Sequence, residues 1–277
     1  MLSAGDSERV AELMRETAAA ELLPRFRNLA QGDISEKRPG DVVTVADVAS
    51  EQRLAVGLAK ILPGVPVVGE EAVEHDPGLV DLIARPGERC WVVDPLDGTS
   101  NFSKGRDVFA MIVCLIEDRA AIGGWILDVP NGRMAMALKG QGVTIDGAPI
   151  EPGAAKRPPK GLIGYKVRKA FDRQLAPAQR QRLGSLDTLN CAGREYIEIL
   201  NGTYDFNLYR RTKPWDHAAG ALMLREAGGE AVRFNGQPYR PEGPNDGGII
   251  SAAVPGVVAE ARAVFEMVEI PLLAPPR

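Results

Sequence analysis

The spacing of hydrophobic residues predicts two helices near the start of the chain, separated by a polar segment. Apolar side chains recur three or four positions apart over about 6–30, which predicts an amphipathic helix that Pro24 kinks or interrupts. Residues 31–41 are mostly polar and predict a loop. Apolar positions at helical spacing then predict a second helix over about 47–61, and Pro63-Gly64 ends it.

The middle of the chain changes to the pattern of β-strands. Short runs rich in Val, Ile, Met and Ala are separated by turn residues, which is typical of an antiparallel meander. A short helix is expected near 77–85, and residues 140–147 are predicted to be a turn-rich connection. The strands are predicted at about 65–68, 90–94, 107–117, 121–128 and 133–138.

Proline, glycine and charged residues crowd together over 151–159, and we place a subdomain boundary there. The prediction is an N-terminal α+β unit over 1–152 and a C-terminal α/β unit over 153–277, because strands and helices alternate after the boundary. The expected strands are about 161–167, 186–190, 204–209 and 248–252, and the expected helices are about 175–183, 191–201, 215–228 and 255–267.

Composition and charge narrow the classes of partner. With 33 basic and 37 acidic residues the formal charge is −4, which gives no reason to expect a nucleic-acid partner. Every apolar run is shorter than the roughly 18 residues that span a bilayer, so no membrane association is expected. The first residues are charged rather than apolar, unlike a secretory signal, and the three cysteines resemble buried free thiols. We therefore expect a cytoplasmic protein.

The candidate chemistry begins where the apolar run Cys90–Val93 ends in Asp94 and Asp97, with Pro95 between them. Carboxylates with oxygen-donor neighbours suit a hard cation such as Mg²⁺. Gly98 and Thr99 follow as favourable residues for a helix start, whose unpaired amides suit a phosphate group. Metal and phosphate at one point in space indicate phosphoryl chemistry.

Each acidic motif also has an ordinary structural interpretation when it is taken alone. The segment Asp94–Gly98 is compatible with a simple turn after a strand, and Glu70-Glu71 with a solvated surface pair. Asp47 and Asp216 each suit the N-terminal cap of a helix. Their joint occurrence favours a metal site over four unrelated features.

Four segments together resemble the inositol monophosphatase family of Mg²⁺-dependent, lithium-sensitive sugar-phosphate phosphatases. They are Asp41–Asp47, Gly69–Glu71, Asp94–Thr99 and Trp215–Gly220, and their order and approximate spacing match the family. The resemblance implies a mixed α/β (α+β) fold, which is a layered α-β-α-β-α sandwich. The site would lie between two subdomains. The resemblance also implies a homodimer.

The same resemblance implies roles for individual residues. Glu70, Asp94 and the carbonyl of Leu96 would hold one Mg²⁺. Asp94 would bridge to a second, held also by Asp97 and Asp216, and Glu70 would help to hold a third. Thr99, hydrogen-bonded to Asp47, would activate the attacking water, with Glu70 also in the catalytic set. Lys37 would correspond to a lysine that the family carries on a mobile loop, although its spacing from Asp41 differs by one residue. Predicted substrate contacts are Asp97, Gly98, Thr99, Ala192, Tyr209 and Asp216.

The substrate is predicted less sharply than the chemistry. Inositol monophosphate is the first choice, but Tyr209 occupies the position of a glutamate that binds sugar hydroxyls in inositol-selective members, and Arg210 and Arg211 follow. These residues indicate either a solvated surface cluster or a substrate with a second anionic or polar group. Histidinol phosphate, fructose 1,6-bisphosphate and phosphoadenosine phosphate are alternative substrates. A non-catalytic binding or regulatory protein on the same fold is an alternative function.

Overall fold

The strands of the first half of the molecule form a hairpin and a seven-stranded sheet. The computed structural model describes residues 2–242 and 247–268. The antiparallel hairpin pairs β1 (Ile34–Arg38) with β2 (Asp41–Thr44). In the sheet, β3 and β4 are parallel and every later pair is antiparallel. Its strands, in chain and spatial order, are β3 (Val67–Gly69), β4 (Arg89–Asp97), β5 (Ala110–Glu117), β6 (Ala120–Asp128), β7 (Arg133–Leu138), β8 (Val143–Ile145) and β9 (Ala148–Pro149).

A five-stranded mixed sheet follows in the second half. Its strands are β10 (Gly161–Ile163), β11 (Leu186–Asp187), β12 (Phe206–Tyr209), β13 (Glu230–Val232) and β14 (Ile249–Ala252). Their spatial order is β11-β10-β12-β14-β13. Strands β11, β10 and β12 are parallel, and β14 is antiparallel to both of its neighbours.

The helices complete five layers, which confirms the predicted α-β-α-β-α sandwich. One pair of helices packs on the outer face of the seven-stranded sheet, a second pair lies between the sheets, and a third covers the outer face of the five-stranded sheet. In that order the pairs are α1 (Ala4–Thr17) with α2 (Val45–Ile61), α7 (Ala192–Leu200) with α8 (Pro214–Glu226), and α5 (Tyr165–Gln174) with α9 (Val257–Phe265). Shorter helices are α3 (Glu70–His75), α4 (Thr99–Ser103) and α6 (Pro177–Arg180).

Strand β4 is buried on both faces because helices cover both sides of its sheet, which is why its sequence reads as a continuous apolar run. Trp91 and Val93 belong to the outer core with α1 and α2, whereas Cys90 and Val92 belong to the inner core with α7 and α8. Successive side chains of a strand point to opposite faces, so Asp94 shares the inner face with Cys90 and Val92.

Several predictions for the first half are confirmed and three are wrong. The connection predicted over 140–147 contains strand β8, which pairs with β7. The meander of β5, β6 and β7 is present. The helix predicted over 6–30 is shorter: α1 ends at Thr17. One π-helical turn, Ala18–Leu22, follows it and ends shortly before Pro24. The segment 31–41, predicted to be a loop, holds most of the β1–β2 hairpin, whose residues the polar sequence did not reveal because they are largely exposed.

In the second half the predicted strand 161–167 is wrong at its end, because α5 begins at Tyr165 and continues through a buried Val167 and Phe171. The helix predicted over 175–183 is limited to α6. The seven-stranded sheet ends at Pro149 and the five-stranded sheet begins at Gly161. The subdomain boundary over 151–159 lies between them and stays a prediction. Residues 269–277 of the second predicted unit lie outside the described residues. In the part of the chain that the structure describes, each helix is too short or too polar to span a bilayer.

Candidate active site

Three carboxylates from separate elements meet at one edge of the seven-stranded sheet. Glu70 begins α3 directly after β3, Asp94 lies near the end of β4, and Asp216 lies in the first turn of α8. One carboxylate oxygen from each lies within 4.8 Å of the others. We call these residues the acidic triad. Strands β3 and β4 are parallel, so their carboxyl ends meet at the same edge and bring Glu70 beside Asp94.

The start of α3 is fixed by a residue that the sequence analysis did not single out. Glu51 on α2 accepts hydrogen bonds from the amides of Glu71 and Ala72, both at 2.8 Å. A Cβ atom on Gly69 would lie 2.2 Å from the Glu51 carboxyl carbon, so only glycine allows this close approach. A negative charge at a helix N-terminus is favourable, and here it holds the segment that carries Glu70.

The electrostatics of the acidic triad favour a bound cation. Burial raises the pKa of Asp94 well above its usual range, and the neighbouring Glu70, Asp97 and Asp216 raise it further. Burial also raises the pKa of Asp216 to about 8, although Lys213 opposes the shift. Crowded, buried carboxylates of this kind are stabilised as anions by a metal ion, and an all-oxygen donor set fits Mg²⁺ chemistry.

Asp97 lies beside the acidic triad but is held by the start of α7. Its Oδ2 accepts hydrogen bonds from the Gly193 amide at 2.6 Å and from the Cys191 thiol at 3.2 Å. Burial raises the pKa of Asp97, while hydrogen bonds from Gly193, Cys191 and Ala192 oppose that shift. Ala192, predicted to contact substrate, therefore directs its amide towards Asp97. The predicted role of Asp97 as a metal ligand stays a prediction.

Thr99 and Asp47 form the hydrogen bond that the resemblance implied. The Thr99 hydroxyl lies 2.9 Å from Asp47 Oδ1 and 2.9 Å from the Leu96 carbonyl oxygen. The other carboxylate oxygen of Asp47 accepts from the Thr44 amide at 2.8 Å and the Thr44 hydroxyl at 2.6 Å. Burial raises the pKa of Asp47 to about 7, against the hydrogen bonds from Thr44. The cap of α2 is Thr44, and Asp47 lies at the third helical position, from which it accepts the Thr44 amide, so the interpretation of Asp47 as the cap itself is wrong. Asp47 is also a partner of Thr99.

Gly98 makes the turn between Asp97 and α4 possible. Its φ of +90° lies in the left-handed region, and a Cβ atom there would lie 3.0 Å from the Val108 carbonyl oxygen. The first amides of any helix lack partners within the helix, so this turn leaves the Thr99 end of α4 open to an anion.

Two lysines lie against the acids, and sequence reasoning identified only one of them. Lys37 Nζ is 2.7 Å from Glu71 Oε1 and 3.8 Å from Glu70 Oε1, although it is on β1 rather than on the predicted loop. Lys213 Nζ is 2.8 Å from Glu70 Oε1. Burial disfavours the charged form of Lys213, but Glu70 and Asp216 outweigh it and raise its pKa. Its position three residues before Asp216, at the start of α8, was the available signal.

Tyr209 makes its contacts within the protein. Its hydroxyl donates to Glu195 Oε2, and its ring packs 4.7 Å from the ring of His217. Glu195 is buried on α7, and burial raises its pKa to about 7. The Tyr209 hydroxyl thus has a partner within the protein. Its predicted contact with substrate stays a prediction. His217 is a packed helix residue, with Nδ1 facing the Tyr196 hydroxyl and Nε2 facing the Arg211 carbonyl.

Comparison with known proteins gives matches over nearly the whole chain. The model of the inositol monophosphatase family matches residues 7–266. The protein named Nus factor SuhB from Pseudomonas aeruginosa is 29% identical over 239 residues, 79% of this chain and 82% of that protein. The fructose-1,6-bisphosphatase/inositol-1-monophosphatase of Aquifex aeolicus is 27% identical over 236 residues, 83% of this chain and 86% of that protein.

Solved structures share the architecture at lower identity. The Thermotoga maritima IMPase has a TM-score of 0.75 and 22% sequence identity, over 92% of this chain and 96% of that one. At this identity the likeness shows the fold alone. The overall fold is thus common to this chain and a solved structure.

Proposed function

Because the chain belongs to the inositol monophosphatase family, we propose that it hydrolyses the phosphate monoester of a small polyol or sugar with the help of Mg²⁺. Membership of the family implies a metal-dependent phosphatase. We take inositol monophosphate as the first substrate to test. The observation that carries the proposal is the acidic triad beside the Thr99–Asp47 pair and the glycine turn at Gly98.

The proposed metal ligands are the acidic triad, Asp97 and the Leu96 carbonyl. The all-oxygen set and the mutual repulsion of these acids support a hard divalent cation. Such a cation, when bound, neutralises phosphate charge and makes a bound water more acidic. Asp97 would keep its orientation through Gly193 and Cys191, which leaves its second oxygen for the cation.

Protein groups then supply orientation and proton transfer. Asp47 accepts the Thr99 hydrogen bond and fixes the hydroxyl oxygen, which accepts a hydrogen bond from the attacking water. The Thr99 proton is shared between Asp47 and the Leu96 carbonyl, so Asp47 is the proposed final acceptor of the proton. Amides at Gly98 and Thr99 would bind phosphate oxygens at the start of α4.

Phosphate release from a panel of monoesters tests the proposal. The panel contains inositol 1-phosphate, histidinol phosphate, fructose 1,6-bisphosphate and adenosine 3′,5′-bisphosphate, each with and without Mg²⁺. We expect Mg²⁺-dependent release that Li⁺ and Ca²⁺ inhibit, with inositol 1-phosphate among the substrates. Absence of release from every monoester at saturating Mg²⁺ would contradict the proposal.

A second candidate is a binding or regulatory role on the same fold, which the relative named Nus factor SuhB supports. Replacing Asp97 with Asn separates the two, since a binding role needs no metal-activated water. If D97N rescues the cellular phenotype of a deletion as well as the natural chain does, the result supports the regulatory function.

We further propose that the protein is a cytoplasmic homodimer, in keeping with the family resemblance. Light scattering after size exclusion tests this directly, because a monomeric mass of 29.7 kDa contradicts it.

A further inference from the structure

The backbone at the start of α7 supports Asp97. The carboxylate of Asp97, at the end of β4, accepts hydrogen bonds from the Gly193 amide at 2.6 Å and the Cys191 thiol at 3.2 Å, both at Oδ2. Asp97 thus caps α7 from a distant strand, where a negative charge is favourable. The direction of its other oxygen, Oδ1, therefore depends on where the first turn of α7 lies.

Close packing sets the distance between this first turn and the seven-stranded sheet. A Cβ atom on Gly193 would lie 3.0 Å from the Ala110 Cβ on β5 and 3.0 Å from the Ile126 Cγ2 on β6. Only glycine allows so close an approach without a shift of the neighbours. Apolar contacts are not directional, however, so they do not prevent α7 from rotating or sliding over the sheet.

Arg194, the residue after Gly193, belongs to a closed ring of two arginines and two acids that we call the ion-pair ring. Its members are Asp128 at the end of β6, Arg133 at the start of β7, and Arg194 and Glu198 on α7. Arg194 lies 2.9 Å from Asp128 and 2.8 Å from Glu198. Arg133 lies 2.9 Å from each acid. The ring ties α7 to the β6–β7 hairpin.

Burial makes the ion-pair ring directional and costly to rearrange. Asp128 is fully buried, and the side chain of Arg194 is only 20% exposed. The Nη1 atom of Arg194 contacts both carboxylate oxygens of Asp128, at 3.0 and 2.9 Å. A buried carboxylate that loses a cationic partner is strongly destabilising, whereas an exposed ion pair contributes little. A rotation of α7 would break these contacts, so the ring fixes the direction of the Gly193 amide.

We infer that Arg194 is a positioning residue for Asp97, which holds the Gly193 amide in place through its contact with Asp128. The inference rests on the proposed metal role of Asp97. Loss of a group that orients a metal-binding side chain typically lowers metal affinity by about 10- to 100-fold. Because Arg194 acts through the neighbouring Gly193 rather than on Asp97 itself, we expect a loss at the lower end of this range.

The test measures Mn²⁺ binding by calorimetric titration of the full chain without substrate, since carboxylate sites that suit Mg²⁺ also suit Mn²⁺. Arg194→Met should weaken Mn²⁺ binding about tenfold, and Asp128→Asn should weaken it to a similar extent. The double variant R194M/D128N should bind Mn²⁺ no more weakly than the weaker single variant, because both changes remove the same contact. This double variant also leaves no unpaired buried carboxylate, so it carries the test if R194M does not fold.

The matched control is Arg89→Met, at the opposite end of the same strand β4. Arg89 pairs with Glu117 on β5 at 2.6 Å, so its loss also removes an ion pair of this sheet. Hydrogen exchange of the amides at 192–193, without metal, measures the support directly. Exchange should be faster in R194M and D128N, whereas R89M should keep the natural exchange and the natural Mn²⁺ affinity.

The outcomes separate this inference from the proposed function. Natural Mn²⁺ affinity in R194M and R194M/D128N, additive losses in the double variant, or an equal loss in R89M would each overturn the role of Arg194, even if the natural protein hydrolyses phosphate esters. A natural protein that releases no phosphate would overturn the proposed function, while Mn²⁺ affinity and amide exchange still test Arg194.

Discussion

The side of the site built on the seven-stranded sheet is acidic, whereas the side built by the segments around the five-stranded sheet is mostly basic. Glu70, Asp94 and Asp97 come from the ends of β3 and β4, where burial and mutual repulsion raise the pKa of Asp94 and Asp97. On the other side Lys213 contacts Glu70, and it lines a cavity together with Arg210 and Arg211. Asp216 is the exception, since its helix lies between both sheets.

The difference indicates a division of tasks. Hydrogen bonds with backbone amides restrict the acidic side of the site. The Gly193 amide donates to Asp97, and the Glu71 amide beside Glu70 donates to Glu51. The basic side chains are longer and more exposed, which suits recognition of different alcohols. Chemistry is thus expected to depend on the acidic side, and substrate choice on the basic side.

The largest effect is expected from Asp94→Asn, which removes a central charge of the acidic side. Loss of a metal ligand that stabilises the transition state by about 4 kcal/mol lowers kcat/KM by ~10³-fold. Mg²⁺ should raise the melting temperature of the natural protein but not of the variant. Phosphate release and thermal unfolding measure the two effects.

The matched control is Asp187→Asn, which changes a half-buried carboxylate of β11 that accepts a hydrogen bond from the Tyr204 hydroxyl. It should keep both the activity and the Mg²⁺-dependent stabilisation. Without metal, D94N should melt at the same temperature as the natural protein or higher, because a repelled buried charge is gone. A large fall in that metal-free melting temperature would contradict the placement of Asp94 in a repulsive cluster.

A smaller effect is expected from Thr99→Ala, which removes the proposed proton path but leaves the acids in place. General-base assistance typically contributes between about 10² and 10⁴ in rate, so kcat should fall by ~10² or more. Thr99→Ser keeps a hydroxyl within reach of Asp47 and should recover most of the rate. If both variants lose the same activity, the hydroxyl is not the acting group.

The acidic side was much easier to predict from the sequence than the basic side. Asp94 and Asp97 interrupt an apolar strand, and charged residues in such positions are rarely buried without a partner. The fold followed from the same motifs by resemblance. Lys213 carries a weaker signal, its position three residues before Asp216, because isolated lysines beside turns are typical of any solvated surface.

Predictions also failed where tertiary contacts set the local structure. The hairpin at Ile34–Arg38 consists of mostly exposed polar residues, so it lacks the alternation that marks a strand. Glu51 reads as a solvent-facing helix residue, yet it is buried because α3 begins over its carboxylate. Neither contact is visible in local sequence. The hairpin pairs residues up to ten positions apart without an apolar alternation to mark them, and Glu51 lies 20 residues from Glu71.

Asp216 and His217 are neighbours on α8, but Asp216 belongs to the candidate site and His217 to the core. The pH dependence of the free energy of unfolding tests the placement of His217. Burial lowers the pKa of His217 from 6.5 to about 3. The unfolded chain therefore binds a proton between about pH 6.5 and 3 that the folded chain does not, so His217 makes folding less favourable as pH falls through that window. From pH 7 to pH 5 this amounts to about 2 kcal/mol.

The measurement compares urea unfolding at the two pH values for the natural protein and for His217→Gln. Carboxylates titrate in both proteins and cancel in the difference, so the natural protein should lose about 2 kcal/mol more than the variant. The other histidine of the chain, His75, is exposed, and His75→Gln should keep the natural pH dependence. Equal pH dependence in all three proteins would place His217 outside the core.

The smallest effect is expected from Tyr209→Phe, which asks whether this residue belongs to the basic side or to the interior. The variant leaves the buried Glu195 with its bonds to the Leu189 amide and the Thr188 hydroxyl but without its tyrosine donor. Losing one partner of a buried carboxylate should lower the free energy of unfolding by about 1–2 kcal/mol at pH 8. The loss should be smaller at pH 6, because the pKa of Glu195 is raised to about 7 and the neutral acid needs the donor less. Tyr165→Phe, at a tyrosine that is 61% exposed, is the control and should change neither value. A rise in KM for inositol 1-phosphate with unchanged stability would instead return Tyr209 to the substrate side, where the sequence had placed it.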